Sequence, residues 1–198
     1  SNNTKQQIVK FKKDNKKKEK GNKSKVNYNW IIKITLLAFV ISFVFSSISE
    51  NVIPNVNIFI GILLVIIFIA IGVVFDMIGI AVTSADEKPF HSMSAQKIRG
   101  ANVAVMFIKN ADKVSSFCND VIGDICGIIS GSAGAIIANT LAIKFNIDIM
   151  VMTLFIMALI AAFTIGGKAL GKGFAIRKCN TILYDFAKVI SYFYNGKK

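Results

Sequence analysis

Four long apolar segments divide the chain. At about 1.5 Å of rise per residue, a helix of about 20 residues crosses the hydrocarbon core of a bilayer. Because a bilayer offers no partner to an unpaired backbone group, the pattern predicts an all-α integral membrane protein with four transmembrane helices. The predicted spans are residues 30–48, 57–83, 116–143 and 148–167.

Two further stretches are amphipathic. Residues 94–111 predict a cytoplasmic helical stretch, and residues 170–194 predict an interfacial helix that lies along the cytoplasmic surface of the membrane. A small packed cytosolic cap is the alternative for the second stretch. Within residues 170–194, apolar residues recur at helical spacing on the side opposite the basic residues. These apolar residues are Leu170, Phe174, Ile182, Phe186, Val189 and Phe193.

Composition and charge support a membrane protein. The chain is 54% hydrophobic, whereas soluble domains have roughly 45–50% apolar residues. Its mean hydropathy is +0.57. Residues 1–28 hold ten lysines against Asp14 and Glu19, which predicts a disordered cytoplasmic tail ahead of a membrane domain over 29–198. The tail has few aromatic residues, so we expect it to contact anionic lipid rather than nucleic acid.

The basic residues also predict an orientation. They concentrate in the tail, in 85–115 and in 168–198, whereas 49–57 has none and 144–148 has only Lys144. The positive-inside rule then places both termini and the middle loop in the cytoplasm of a multi-pass cell-membrane protein. Abundant Lys, Ile and Asn are typical of a low-GC bacterium, so the membrane is expected to be a bacterial inner membrane.

The sequence does not indicate an enzyme. It has one His and three scattered Cys, without CxxC, HExxH, GxSxG or a P-loop. These absences argue against zinc and nucleophilic chemistry.

Oxygen-bearing residues gather near the predicted cytoplasmic ends of the spans, where Lys168 also lies. Ionisable groups at membrane depth are costly and usually serve a pathway or a partner, and oxygen ligands are those that Mg²⁺ prefers. Solvated helix ends at the headgroup boundary are the alternative. The predicted metal-site residues are Asp76, Ser116, Asn119, Asp120, Asp124, Gly166 and Gly167.

Small residues recur along the third span. Gly123, Gly127 and Gly131 are spaced four apart, which favours close packing against another helix or a symmetry mate.

Three strings resemble the transmembrane domain of the CorB/CorC and cyclin-M (CNNM) magnesium transporters. The family patterns are F-S-x-x-E-x-A-x-x-S, G-N-N and G-E-x-x-P-K, and the strings here are FDMIGIAVTS (75–84), CND (118–120) and GKALGK (167–172). Matching positions include Ala81, Ser84, Asn119, Gly167 and Lys172. Departures include Asp76 for Ser, Gly79 for Glu, Asp120 for Asn, Lys168 for Glu and Gly171 for Pro.

The resemblance implies divalent-cation transport or efflux, with Mg²⁺ as the ion, and a homodimer. We expect no nucleotide cofactor, because the family's paired cystathionine-synthase-type modules are absent from the sequence. The alternative is a non-transporting membrane scaffold that binds a protein partner or anionic lipid through its basic tail and interfacial helices. In that case Lys168 would neutralise Asp76 or Asp120.

Overall fold

The computed structural model describes residues 28–52 and 57–194. The predicted disordered tail lies outside them, apart from Tyr28. All regular structure in the described part is helical. The elements are α1 (Tyr28–Val52), α2 (Ile58–Ser84), α3 (Glu87–Ala95), α4 (Ala101–Lys109), α5 (Ala111–Ser116), a π-helical segment (Phe117–Gly123), α6 (Asp124–Phe145), α7 (Ile149–Arg177) and α8 (Cys179–Tyr194). Residues 28–33 belong to a separate unit from residues 34–194.

The four predicted apolar helices are confirmed. The stretches long and apolar enough to cross a membrane are Tyr28–Ile48, Ile58–Ser84, Ala111–Phe145 and Ile149–Arg177. The last continues beyond the predicted end at residue 167, because Gly166 and Gly167 do not break the helix. Glycine costs a helix about 1 kcal/mol, and here Gly167 packs directly against Val73 of α2.

The helices α2, α6 and α7 form the centre of the bundle, with glycines where they cross. A Cβ on Gly72 would lie 3.1 Å from Cβ of Cys126. A Cβ on Gly167 would lie 2.9 Å from Val73, and one on Gly171 would lie 2.8 Å from Met77. The partners of these last two glycines advance by four residues in the same direction, so α2 and α7 run parallel.

The part of α1 from residue 34 onwards packs on the outside of this centre. Three of its side chains contact a cluster of buried apolar side chains on the third span. In addition, the ring of Phe45 packs edge-on against the ring of Phe68 of α2, with 6.4 Å between the ring centres. The α1 contacts are Ile34, Ala38 and Ile41, against Val121, Ile125 and Ile129.

A cap of short helices covers the end of α2. Its core joins Val82 to Phe90 and Leu183, all three almost fully buried. The helix α8 begins beyond the end of α2, where Asn180 Oδ1 accepts a hydrogen bond of 3.1 Å from the Asp86 N–H. Helix α8 starts at residue 179 rather than at the predicted residue 170, because α7 continues to Arg177. Leu183 and Ala187 bury one face of α8 in the cap.

The predicted helical stretch 94–111 is interrupted. Helix α3 ends at Ala95, and α4 begins at Ala101 after a turn in which Lys97 and Gly100 have positive φ, at 57° and 88°. The left-handed conformation suits glycine because it has no Cβ. Gly100 also lies against the α8 backbone, where a Cβ would come within 2.9 Å of Lys188 Cα.

We predict that Gly100→Ala lowers the free energy of unfolding by about 1–3 kcal/mol, because the methyl group would meet both backbone strain and the α8 main chain. Thermal unfolding in detergent micelles measures the effect. Gly127→Ala is the matched control, since a Cβ on Gly127 meets nothing within 4 Å. Equal unfolding temperatures for the two variants would contradict the prediction.

Candidate functional site

Asp76 and Lys168 meet where two apolar runs end. Asp76 follows the run 58–75 of α2, and Lys168 follows the run 149–167 of α7. Helices α2 and α7 are parallel, and Gly167 lies against Val73. Asp76 and Lys168 therefore lie at the same level along the two helices. Lys168 Nζ lies 3.9 Å from Asp76 Oδ1, and the side chains are 29% and 16% exposed.

This ion pair lacks a direct hydrogen bond. A charge-assisted N–H···O bond is about 2.7–2.9 Å long, so 3.9 Å gives electrostatic attraction without that contact. The Lys168 ammonium therefore neutralises the Asp76 carboxylate only in part, and the carboxylate oxygens can still bind a cation or a hydrogen-bond donor.

Asn119 approaches the same region from the third span. Its Nδ2 donates to Ser115 Oγ at 3.4 Å. Its Oδ1 is buried and has no hydrogen-bond partner, the single such side-chain atom in the described part of the chain. The amide packs directly against Gly79, which lies three residues after Asp76 on α2. The residue that the amide contacts therefore lies one turn of α2 beyond the residue that carries the carboxylate.

A π-helical segment carries Asn119. Residues Phe117–Gly123 adopt this wider helix, whose hydrogen bonds run from i to i+5 and which occurs often at functional sites. Gly123 closes the segment beside the ammonium, since a Cβ there would lie 3.7 Å from Lys168 Nζ and 3.5 Å from the Cys118 carbonyl oxygen. We call Asp76, Asn119, Lys168, Gly79 and Gly123 the polar junction.

The carboxylates of the predicted metal site do not gather in one place. Asp120 and Asp124 are exposed, and Ser116 is half-buried. No group of three or more His, Cys, Asp or Glu side chains able to hold a metal ion occurs within 28–52 and 57–194. Their role as metal ligands stays a prediction. Of the predicted residues, Asn119 packs against α2 at Gly79, one turn beyond Asp76.

The predicted carbonyl ligands Gly166 and Gly167 lie inside the unbroken helix α7. Their carbonyls accept the helical hydrogen bonds from residues four positions further on, so they are occupied by the backbone. Each carbonyl oxygen keeps a second lone pair, and the role of Gly166 and Gly167 as ligands stays a prediction.

The small-residue run of the third span has two environments. Gly123 is buried in the polar junction, whereas a Cβ on Gly127 or Gly131 would meet nothing within 4 Å. The latter two leave an open strip on α6, and the homodimer stays a prediction.

The sequence pattern did not predict a packing role for Gly79 or Gly72. Gly79 provides the space that the Asn119 amide occupies, and Gly72 allows α2 to approach Cys126. Their spacing of seven residues on one apolar helix is the signal that could have identified them, because residues seven apart share a helix face.

A double-mutant cycle tests the ion pair. We predict that Lys168→Met alone and Asp76→Asn alone each lower the free energy of unfolding by about 1–3 kcal/mol, since each leaves one charge poorly compensated. The double variant should recover much of that loss. Thermal unfolding in micelles measures the coupling, and Lys172→Met, which removes an exposed ammonium one turn later on α7, is the control. Strictly additive effects would show that the two charges do not interact.

No protein-family model, curated protein or solved structure matches the chain. The resemblance to CorB/CorC and cyclin-M transporters therefore rests on three short strings. The fold itself is an all-helical chain with four helices that are long and apolar enough to cross a membrane, and a polar junction lies where three of its elements meet.

Proposed function

We propose that the chain transports a divalent cation, Mg²⁺, across a membrane, and that the polar junction is the point at which the ion loses part of its water. The observation that carries the proposal is the buried Asn119 Oδ1 without a hydrogen-bond partner. The Asn119 amide packs against Gly79, which lies one turn of α2 beyond Asp76. An unsatisfied buried oxygen costs about 1–3 kcal/mol, and a passing cation would satisfy it.

The chemistry of these two oxygens suits Mg²⁺. This ion dehydrates reluctantly, keeps several waters, and is usually bound through one or two carboxylates. A site with Asp76 and the Asn119 amide as protein ligands, completed by water, does not need the exposed carboxylates of Asp120 and Asp124.

Lys168 acts in this proposal as a tethered counter-ion. Without a metal ion, its ammonium offsets the charge of Asp76 across 3.9 Å. A divalent cation that reaches Asp76 repels the ammonium, because like charges interact strongly in a medium of low dielectric constant. Displacement of Lys168 would then accompany each passage of an ion.

The second candidate is a non-transporting membrane scaffold. It is favoured by the same contact, because the 3.9 Å ion pair already compensates Asp76 and links α2 to α7 without any metal. In this function the ion pair is permanent and the junction holds the bundle together.

Mg²⁺ flux into proteoliposomes that contain an internal fluorescent indicator separates the two functions. For a transporter, Asp76→Asn should lower the flux at least about tenfold. The variant loses the charged ligand, which weakens the binding of the ion in the junction by more than about 1.4 kcal/mol, a factor of about ten. Gly79→Ala should have a similar effect, since its methyl group would displace the Asn119 amide while leaving both charges in place. Asp185→Asn, at an exposed carboxylate of α8, should leave the flux unchanged.

A scaffold gives a different result in the same assay. The wild-type vesicles would show no more flux than empty vesicles, and millimolar Mg²⁺ would not change the unfolding temperature of the protein. Either wild-type inactivity or equal flux for Asp76→Asn, with folding verified by thermal unfolding, would overturn the transport proposal.

A further inference from the structure

Three large side chains on the second half of α8 are strongly exposed. Val189 is 58% exposed, Tyr192 73% and Phe193 80%. The opposite face is fully buried through Leu183 and Ala187. We call the exposed residues Val189, Tyr192 and Phe193 the α8 edge. Apolar side chains of this size on one edge of a helix indicate a contact with another apolar phase.

The contacts of α8 show where this edge lies relative to the bundle. At its start, Asn180 binds the backbone of Asp86, beyond the end of α2. Six residues later, the ring of Phe186 packs edge-on against Phe75 at 6.4 Å. Helix α8 therefore runs back along α2 and reaches the residue that immediately precedes Asp76.

Phe75 is the last residue of the apolar run of α2, so the middle of α8 lies at the level where that run ends. Residues beyond Phe186 continue in the same direction, so the α8 edge lies alongside the last turns of that run, just inside the boundary of the apolar zone. The connection from α7 is a single residue, Lys178, which keeps α8 close to the helix from which it returns.

Cations flank the α8 edge. The Arg99 guanidinium lies 4.8 Å from the centre of the Tyr192 ring, a cation–π distance. Gly100, the next residue, packs against the backbone of Lys188, so Arg99 and Lys188 belong to one surface. Both are exposed, as is Lys97. Against these cations, α8 itself carries one acid, Asp185.

We propose that the α8 edge and Arg99 form a binding surface for anionic phospholipid, in which Phe193 and Val189 enter the acyl boundary and Arg99 binds a headgroup phosphate. Aromatic side chains and arginine suit this depth, because each has an apolar body and a polar end. A guanidinium stacked on Tyr192 keeps its N–H edge available to phosphate oxygens. This surface would serve a transporter and a scaffold equally.

Depth-dependent fluorescence quenching tests the position of the edge. Trp30 is the single tryptophan, so Trp30→Phe combined with Phe193→Trp leaves one indole on the edge. In vesicles with acyl-brominated lipid, we expect this indole to be quenched about threefold more than one placed at Thr181, which is exposed on the first turn of α8. Equal quenching at the two positions, or none at 193, overturns the proposal and leaves the edge to a protein partner.

Lipid selectivity tests the charged part. Phosphatidylglycerol should raise the unfolding temperature of the full chain in micelles more than phosphatidylcholine does, and Arg99→Gln should remove most of the difference. Lys109→Gln, which removes an exposed charge at the other end of α4, should retain it. An identical response to both lipids, or an equal rise with inorganic phosphate alone, would contradict a headgroup site.

Discussion

Helices α2 and α7 run parallel and in close contact, and this packing sets the geometry of the polar junction. Gly167 and Gly171 let α7 lie directly on Val73 and Met77, and this register brings Asp76 and Lys168 to the same level. A lone charge at the end of an apolar run is costly. The glycines and the ion pair therefore support each other, since the close approach joins the charges and the attraction favours the register.

The π-helical segment adds the second element of the junction. It brings Asn119 against Gly79, where the amide has one hydrogen bond to Ser115 and a bare oxygen. A satisfied Asn would make the junction a simple structural contact. The unsatisfied oxygen is the feature that supports the transport proposal, whereas the ion pair alone is compatible with a scaffold.

The cap couples this junction to the surface. Phe186 contacts both Phe75, next to Asp76, and Phe107 of α4 at 5.6 Å. Helix α8 thus has one face in contact with the end of α2 and an exposed edge at the boundary of the apolar zone. A lipid bound at Arg99 would stabilise the position of α8, and through Phe186 the position of the α2 segment that carries Asp76.

The four apolar helices could be predicted from hydropathy, and Asp76, Asn119 and Lys168 could be identified as polar groups near the ends of these helices, because both features depend on local composition. Three features required the folded structure: the pairing of Lys168 with Asp76, the exposure of Asp120 and Asp124, and the return of α8 along α2. Each of these depends on which helix faces which. The glycine contacts and the π-helical segment determine which helix faces pack together. This packing cannot be read from the hydrophobic pattern of any one helix.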